Sequence, residues 1–400
     1  MKRLLALASV ALLCTPALFA QRRRVVAPPS APAAVTAPFG QPLPGMPAAL
    51  LPAFDDGRRA FTKIQQVGDG LGPVFNAPSC ADCHNAPAVG GGSQRNVVRI
   101  GTRVNGVFDP LLRFGGSLLQ SRAIGMPGSH LFRPELAPRE ATIIAVRRST
   151  PLFGLGLVDA TSDFTFIALA AMEAVRGDGT AGRVALVDNA AAGTKTAGKF
   201  GWKAQVPTLL QFSGDAYLNE LGITSPDFPD ENCPGGDCAE LRFNPRPGLN
   251  DDGTAVRAVA GYMAMLAAPP RGAITADVAE GERIFARIGC NACHVETLTT
   301  GANPNRALDR VVYHPYSDFL LHDMGALGDG IEQGAAAGNE MRTAPLWGLS
   351  AVRRFLHDGR ASTLEAAIAA HDGQGRAARE RFAALDAADR TRLVAFLRSL

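Results

Sequence analysis

The sequence predicts a helical fold in two related halves, and three observations predict it. A Cys-x-x-Cys-His motif occurs twice, as SCADCH over 79–84 and GCNACH over 289–294, in a chain of 400 residues with seven cysteines and seven histidines. The segments around those motifs also recur. DDGRRAF (55–61) precedes the first and AEGERIF (279–285) the second, with Gly57 matching Gly281 and Phe61 matching Phe285. Further on, RSTPLFGLGL (148–157) matches RTAPLWGLSA (342–351), Arg for Arg and Pro for Pro. The third observation is apolar spacing. Both upstream segments read as helices, the second opened by Asp277 and Glu280 at capping-box spacing, and Leu209, Leu210, Phe212, Tyr217, Leu218 and Leu221 suggest a partly buried helix between the halves.

The motif spacing has a chemical reason. On a helical turn Cys80 and Cys83 share one face, as do Cys290 and Cys293, so each pair can bond to the two vinyl groups of one porphyrin. His84 and His294 then project toward iron as ligands. A structural zinc site would need four ligands closed around the metal, and the motifs are far apart in sequence. A thioredoxin-like redox pair would need a βαβ setting that neither flank suggests. The expectation is two covalently attached haem c groups.

The N-terminus agrees with that chemistry. Residues 1–20 combine Lys2 and Arg3 with a short apolar run ending at Ala20, the pattern of a cleaved signal peptide, so the chain is expected to be exported to the periplasm. The alternative, an uncleaved anchor, suits the run less well because it is short for a membrane span. Residues 21–53 hold three arginines and eight prolines between Pro28 and Pro52, and read as a semi-extended tether. No later stretch approaches eighteen apolar residues, which argues against a stable membrane span. The formal net charge of +3 falls to about +1 once Lys2 and Arg3 leave, so nothing argues for nucleic acid.

The expected organisation is a first haem domain over 54–175, a connecting region over 176–270 and a second haem domain over 271–400. The connecting region contains NCPGGDC, whose Cys233 and Cys238 bracket a Pro-Gly-Gly turn. In an exported chain these form a small-loop disulfide, with a redox-active dithiol as the alternative.

The two haem motifs, the paired R-x-x-P-L-[FW]-G-L segments, FGWKAQVPTLL (200–210), LLHDMG (320–325) and RRFLHDGRASTLEAAI (353–368) together resemble the di-haem oxidoreductase branch of the bacterial di-haem cytochrome c peroxidase and MauG superfamily. The resemblance runs from about residue 54 to 400. It implies a mainly α fold of two cytochrome c-like haem domains facing each other, one haem meeting peroxide and the other passing electrons from a small donor protein such as a cytochrome c or cupredoxin. It also implies an acid-base group that moves a proton between the peroxide oxygens. His130, Glu135 and Glu140 lie between the first motif and the first repeat, with Glu173 beyond, and Glu140 and His130 are the candidates carried forward. Trp202 is the candidate aromatic relay between the haems. The family commonly holds calcium between its domains, and RGDGTAG (176–182) and LNDDG (249–253) offer oxygen ligands, although such loops are usually turns.

The repeats also predict which iron is open. His371 follows His357 by fourteen residues, just beyond a short helix begun by Ser362 and Glu365, where related peroxidases carry methionine and the MauG branch tyrosine. It is the expected sixth ligand of the second haem, opposite His294, with Met324, Met341 and His322 as rivals. At the matching offset the first half has Gly177, which can ligate nothing, and Met126 and His130 are the groups upstream that could close that site. The expected function is therefore reduction of hydrogen peroxide, or oxidation of a partner substrate, at an open first haem. Pure electron transfer and thiol oxidation through Cys233 and Cys238 are the alternatives.

Overall fold

The computed structural model describes residues 35–400, so the signal-peptide and triple-arginine segments lie outside the described residues. The helices are α1 (Leu51–Thr62), α2 (Leu155–Asp159), α3 (Asp163–Arg176), α4 (Leu209–Leu221), α5 (Thr254–Met265), α6 (Ala276–Arg287), α7 (Leu364–Ala369), α8 (Arg376–Ala383) and α9 (Ala387–Ser399). Two helix crossings organise them. In the first, α1 buries Phe54, Gly57 and Phe61, a one-sided stripe that packs against α5. In the second, α6 buries Val278, Gly281, Ile284 and Phe285 against Leu393, Phe396 and Leu397 of α9.

The repeated glycines explain how closely these helices approach. A Cβ on Gly57 would lie 2.4 Å from the Ala258 carbonyl oxygen of α5, and one on Gly281 would lie 2.0 Å from the Arg392 carbonyl oxygen of α9. Both glycines are contact points where a side chain has no room. The repeated phenylalanines are equally matched. Phe61 stands with its ring centre 6.2 Å from that of His84, and Phe285 stands 6.2 Å from that of His294. One element therefore carries both the crossing and the aromatic wall beside each motif histidine.

The expectation of a mainly α fold is corrected. Among the described residues helix, 3-10 turns included, accounts for 35% and strand for 16%, in several sheets. The largest has four strands, with Asn96–Val104 pairing antiparallel with Val107–Asp109, Leu118–Leu119 and Ile143–Arg148. Its physical basis is β-branched sequence, NVVRIGTRV against IIAVRR, closed on one side by a tight Asn105-Gly106 turn with φ of 52° and 84°. The sheet occupies the stretch between the first haem motif and the first repeat.

The segment read as connecting region supplies α4 and α5, which pack on each other, and α5 closes against α1. From residue 35 the Pro-rich segment packs against the region around the end of α5. Val35 and Leu43 are buried, and the backbone N–H groups of Ala37 and Leu43 donate to the carbonyl oxygens of Ala268, just after α5, and of Met265, its last residue. Helix α6 is capped by Thr275, whose hydroxyl accepts from the Val278 N–H, and α7 by Thr363, which accepts from the Ala366 N–H. Among the described residues no helix is long and apolar enough to cross a membrane.

The α6–α9 crossing is testable with two alanine substitutions. Gly281→Ala gains up to about 1 kcal/mol of helix propensity but forces a methyl into a backbone oxygen, and overpacking of that kind costs about 1–3 kcal/mol. The variant should unfold at lower denaturant. Gly261→Ala in α5, where the added Cβ meets nothing nearer than Met265 Cε at 3.9 Å, should be neutral or slightly stabilising.

Candidate active site

Each Cys-x-x-Cys-His motif folds as a short 3-10 turn, Cys80–Asp82 and Cys290–Ala292; the second comes directly after α6, whereas a 3-10 turn and the short strand Val74–Phe75 separate the first from α1. Burial pushes the Cys80 thiol up to about 12 and the Cys290 thiol up to about 12, so neither is the reactive thiolate of a redox pair. Burial also lowers His84 and His294 to about 4, leaving both imidazoles neutral. Their tautomers follow from their partners. His84 Nδ1 stands 3.0 Å from the Gly91 carbonyl oxygen and His294 Nδ1 2.9 Å from that of Tyr316. A carbonyl only accepts, so Nδ1 carries the proton and Nε2 keeps a free lone pair, the form that binds a metal.

His371 shows the same arrangement. It lies just past α7, its Nδ1 donates to the Ala367 carbonyl oxygen at 2.8 Å, and its ring lines a cavity of about 480 Å³ together with Cys290, Cys293 and His294. It is near enough to His294 for the two imidazoles to oppose each other's protonation. The rivals occupy different settings. His322 has both nitrogens engaged, Nε2 with Asp318 at 3.0 Å and Nδ1 with Cys293 Sγ at 3.5 Å. Met324 and Met341 also line the cavity.

The cavity suits a haem by size, by lining and by charge. Its wall includes Arg342, a buried guanidinium whose Nε and Nη1 donate only to the carbonyl oxygens of Gly201 and Thr343. Burial lowers its pKa to about 10, and it makes no ion pair among the described residues. An uncompensated buried cation calls for an anion, and haem carries carboxylates.

Trp202 joins the two repeats. Its indole Nε1 donates to the Arg148 carbonyl oxygen at 2.9 Å, and its own carbonyl oxygen accepts from the Arg342 N–H at 2.9 Å. Arg148 and Arg342 are the matching first residues of the two repeats. The segment is held from behind by charges. Lys203 Nζ, wholly buried, donates to Asp329 at 3.1 Å and to the carbonyl oxygens of Ala337, Gly338 and Glu340, while Arg147 Nε donates to the same Asp329 at 2.6 Å. Trp347 instead packs beside Tyr313 and close to Gly154.

The acid-base candidates are scattered. Glu140 is exposed in a turn, and His130 pairs with Glu240 at 2.6 Å and stacks on Phe243. The Glu135 carboxylate accepts from the backbone N–H groups of Gln120 and Gly235. Glu173 lies beneath the second motif rather than the first, and Gly177 caps the end of α3. The groups beside the first motif are ones that sequence reading passed over. Glu220 and Asp215 of α4 and Arg99 of the sheet interact with one another, and Glu220 is near enough to raise the Cys80 and Cys83 thiols. Burial holds both carboxyls above their usual range. Asn76 Nδ2 donates to Glu220 at 2.9 Å and orients it. Two acids within an otherwise apolar helical segment were the available signal.

Two further expectations concern loops. Cys233 and Cys238 are disulfide-bonded. In the loops considered for calcium, Asp178 accepts from Thr180, Asp251 from the first turn of α5, and Asp252 from Thr254, so these carboxylates serve as turn and cap acceptors.

The family model described as "Di-haem oxidoreductase, putative peroxidase" matches residues 135–400. No curated protein matches the chain. Among solved structures it is similar to hydrazine synthase of Kuenenia stuttgartiensis, at 13% identity over 100% of both chains and a TM-score of 0.41. It is similar to a MauG-like protein associated with microbial copper homeostasis, at 15% identity over 93% of this chain and 94% of that one, TM-score 0.39. A third is the diheme peroxidase BthA from Burkholderia thailandensis, at 17% identity over 52% of this chain and 66% of that one, TM-score 0.31.

The charges behind Trp202 give a stability test. Asp329→Ala strands Lys203 and Arg147 as unpaired buried cations, and breaking a buried pair in this way costs about 3–5 kcal/mol. Denaturant unfolding should show that loss. Adding Lys203→Met to the variant should recover part of it by removing one stranded charge.

Proposed function

The chain belongs to the di-haem oxidoreductase family, and from that premise we propose that it carries haem c on Cys80 and Cys83 and on Cys290 and Cys293 and reduces hydrogen peroxide at the first. Electrons enter at the second from a small electron carrier such as a cytochrome c or cupredoxin. Haem supplies one-electron redox chemistry at both sites and peroxide reduction where its iron keeps an open position.

The observation that carries this reading is the asymmetry between the halves. His371, with Nδ1 bonded to a backbone carbonyl and Nε2 free, lines the cavity of His294, whereas Gly177 at the corresponding position of the first half is a helix cap. His294 and His371 thus offer two nitrogens to one iron, and His84 offers one to the other. A plain electron carrier would need two closed irons. No observation favours the thiol route, because Cys233 and Cys238 sit with the His130–Glu240 pair and away from both motifs in sequence.

The residues around the first motif supply the proton chemistry. Glu220, oriented by Asn76 and held above the usual carboxylate range by burial, takes the proton from the inner peroxide oxygen and returns it to the outer one, so that water leaves. Arg99 offsets negative charge beside it. It replaces Glu140 and His130 in that role, since one is in solvent and the other is paired with Glu240. Trp202, hydrogen-bonded to both repeats, is the proposed electron relay. Residues 1–20 support export, and a periplasmic location would suit both covalent haem attachment and the disulfide.

Three measurements test the reading. Hydrogen peroxide should reoxidise the reduced protein within mixing to minutes, and His371→Ala should convert one low-spin haem to high-spin while leaving the other spectrum intact. Glu220→Gln should slow peroxide reduction by about 10²–10⁴-fold with both haem spectra preserved. Reduced spectra that ignore peroxide would favour pure electron transfer.

A further inference from the structure

Beneath the second motif lies a buried acid that neither the ligand set nor the relay uses. Glu173 of α3 is 1% exposed. Its Oε2 accepts from the Gly182 N–H at 2.8 Å, and its Oε1 is buried with no hydrogen-bond partner. Arg176 stands 3.9 Å away and is itself engaged with Asp178 and with the Ala292 carbonyl oxygen inside the second motif's turn. Facing Glu173 from the other side are Asp318 and His322, 0% and 2% exposed, joined at 3.0 Å. Burial opposes the His322 charge, but the hydrogen bond to Asp318 prevails and raises it. Asp318 and His322 therefore form an internally neutral ion pair. Arg342 lies beyond Asp318, and Cys293 completes the surroundings.

Glu173 is thus the member of this cluster with no hydrogen-bonded cation, and it is near enough to Cys293, which would hold the second haem, to raise that thiol. Given the haem at Cys290 and Cys293, we infer that Glu173 is a redox-linked proton site, binding one proton from solvent when that haem gains one electron from its donor and releasing it on oxidation. The balance is one electron and one proton in, and one of each out. The electron adds negative charge within a few side chains of an unpaired carboxyl, so proton binding is tighter in the reduced state, and the potential falls as pH rises. Burial first, and the Asp318 charge second, push Glu173 up to about 7, against the Gly182 hydrogen bond, His322 and Arg176, which lower it. The window is therefore near neutrality.

The test is a potentiometric titration of each haem, followed by visible spectra, between pH 5.5 and 8.5. The second haem should lose close to tenfold in its reduction equilibrium per pH unit around neutrality, equal to about 59 mV for one electron. Glu173→Gln should flatten that slope while the haem spectra stay unchanged. An equal slope in both proteins would overturn the inference and direct attention to the haem carboxylates near Arg342. If the variant does not fold, redox-difference infrared spectra of the native protein decide. A protonated carboxyl band that grows on reduction supports the site, and its absence refutes it. The potential is read without peroxide, so a protein inert to peroxide would still show the slope, and a missing slope would leave peroxide reduction untouched.

Discussion

Trp202 is held by two hydrogen bonds that belong to different halves of the chain, and the arrangement of the candidate site depends on them. Its indole nitrogen donates to the carbonyl of Arg148, and its carbonyl accepts from the N–H of Arg342. Those two arginines open the two copies of one repeat. Trp202 lies outside both copies and is hydrogen-bonded to the first residue of each, which makes it their junction. The junction reaches toward both motifs. Ser149, next to Arg148, is near enough to lower the Cys83 thiol, and Arg342 lines the cavity that holds Cys290, Cys293 and His294.

The junction needs support because two polar backbone groups meet there away from water. That support is electrostatic. Asp329 stands between Arg147 and Lys203, the residues next to Arg148 and Trp202, and all three are nearly inaccessible to solvent. The cations gain from the shared carboxylate and from backbone carbonyls what they lose in hydration. The helix crossings supply the rest of the rigidity. Each is closed by a glycine that lets backbone meet backbone, and each carries the phenylalanine that stands beside a motif histidine.

What could be seen in the sequence was whatever local spacing encodes. The two haem motifs, the Gly57–Gly281 and Phe61–Phe285 correspondences, the helix before His371 and the Cys233–Cys238 disulfide all lie within short windows. The sheet was missed because the reading followed the repeats and motifs, and the β-branched strands lie between them. The strand at 96–104 finds its principal partner some forty residues later. Helix α5 was assigned to a connecting region because nothing near it shows that α1, almost two hundred residues earlier, is its partner. The carboxylates beside the first motif were missed for the same reason. Glu220 is brought to Cys80 and Cys83 by a fold whose anchoring bond, from Asn76, spans 144 residues.

Electron exchange between the two haems tests the account's central claim, that the repeats communicate through Trp202. Trp202→Phe keeps an aromatic ring and removes the indole N–H that reaches Arg148. Electron redistribution after rapid one-electron reduction, followed at the separate haem bands, should become slower in this variant while both resting spectra and the second haem's potential stay as they were. Redistribution at the native rate, with the spectra equally preserved, would show that electrons pass by another route and would remove Trp202 from the mechanism.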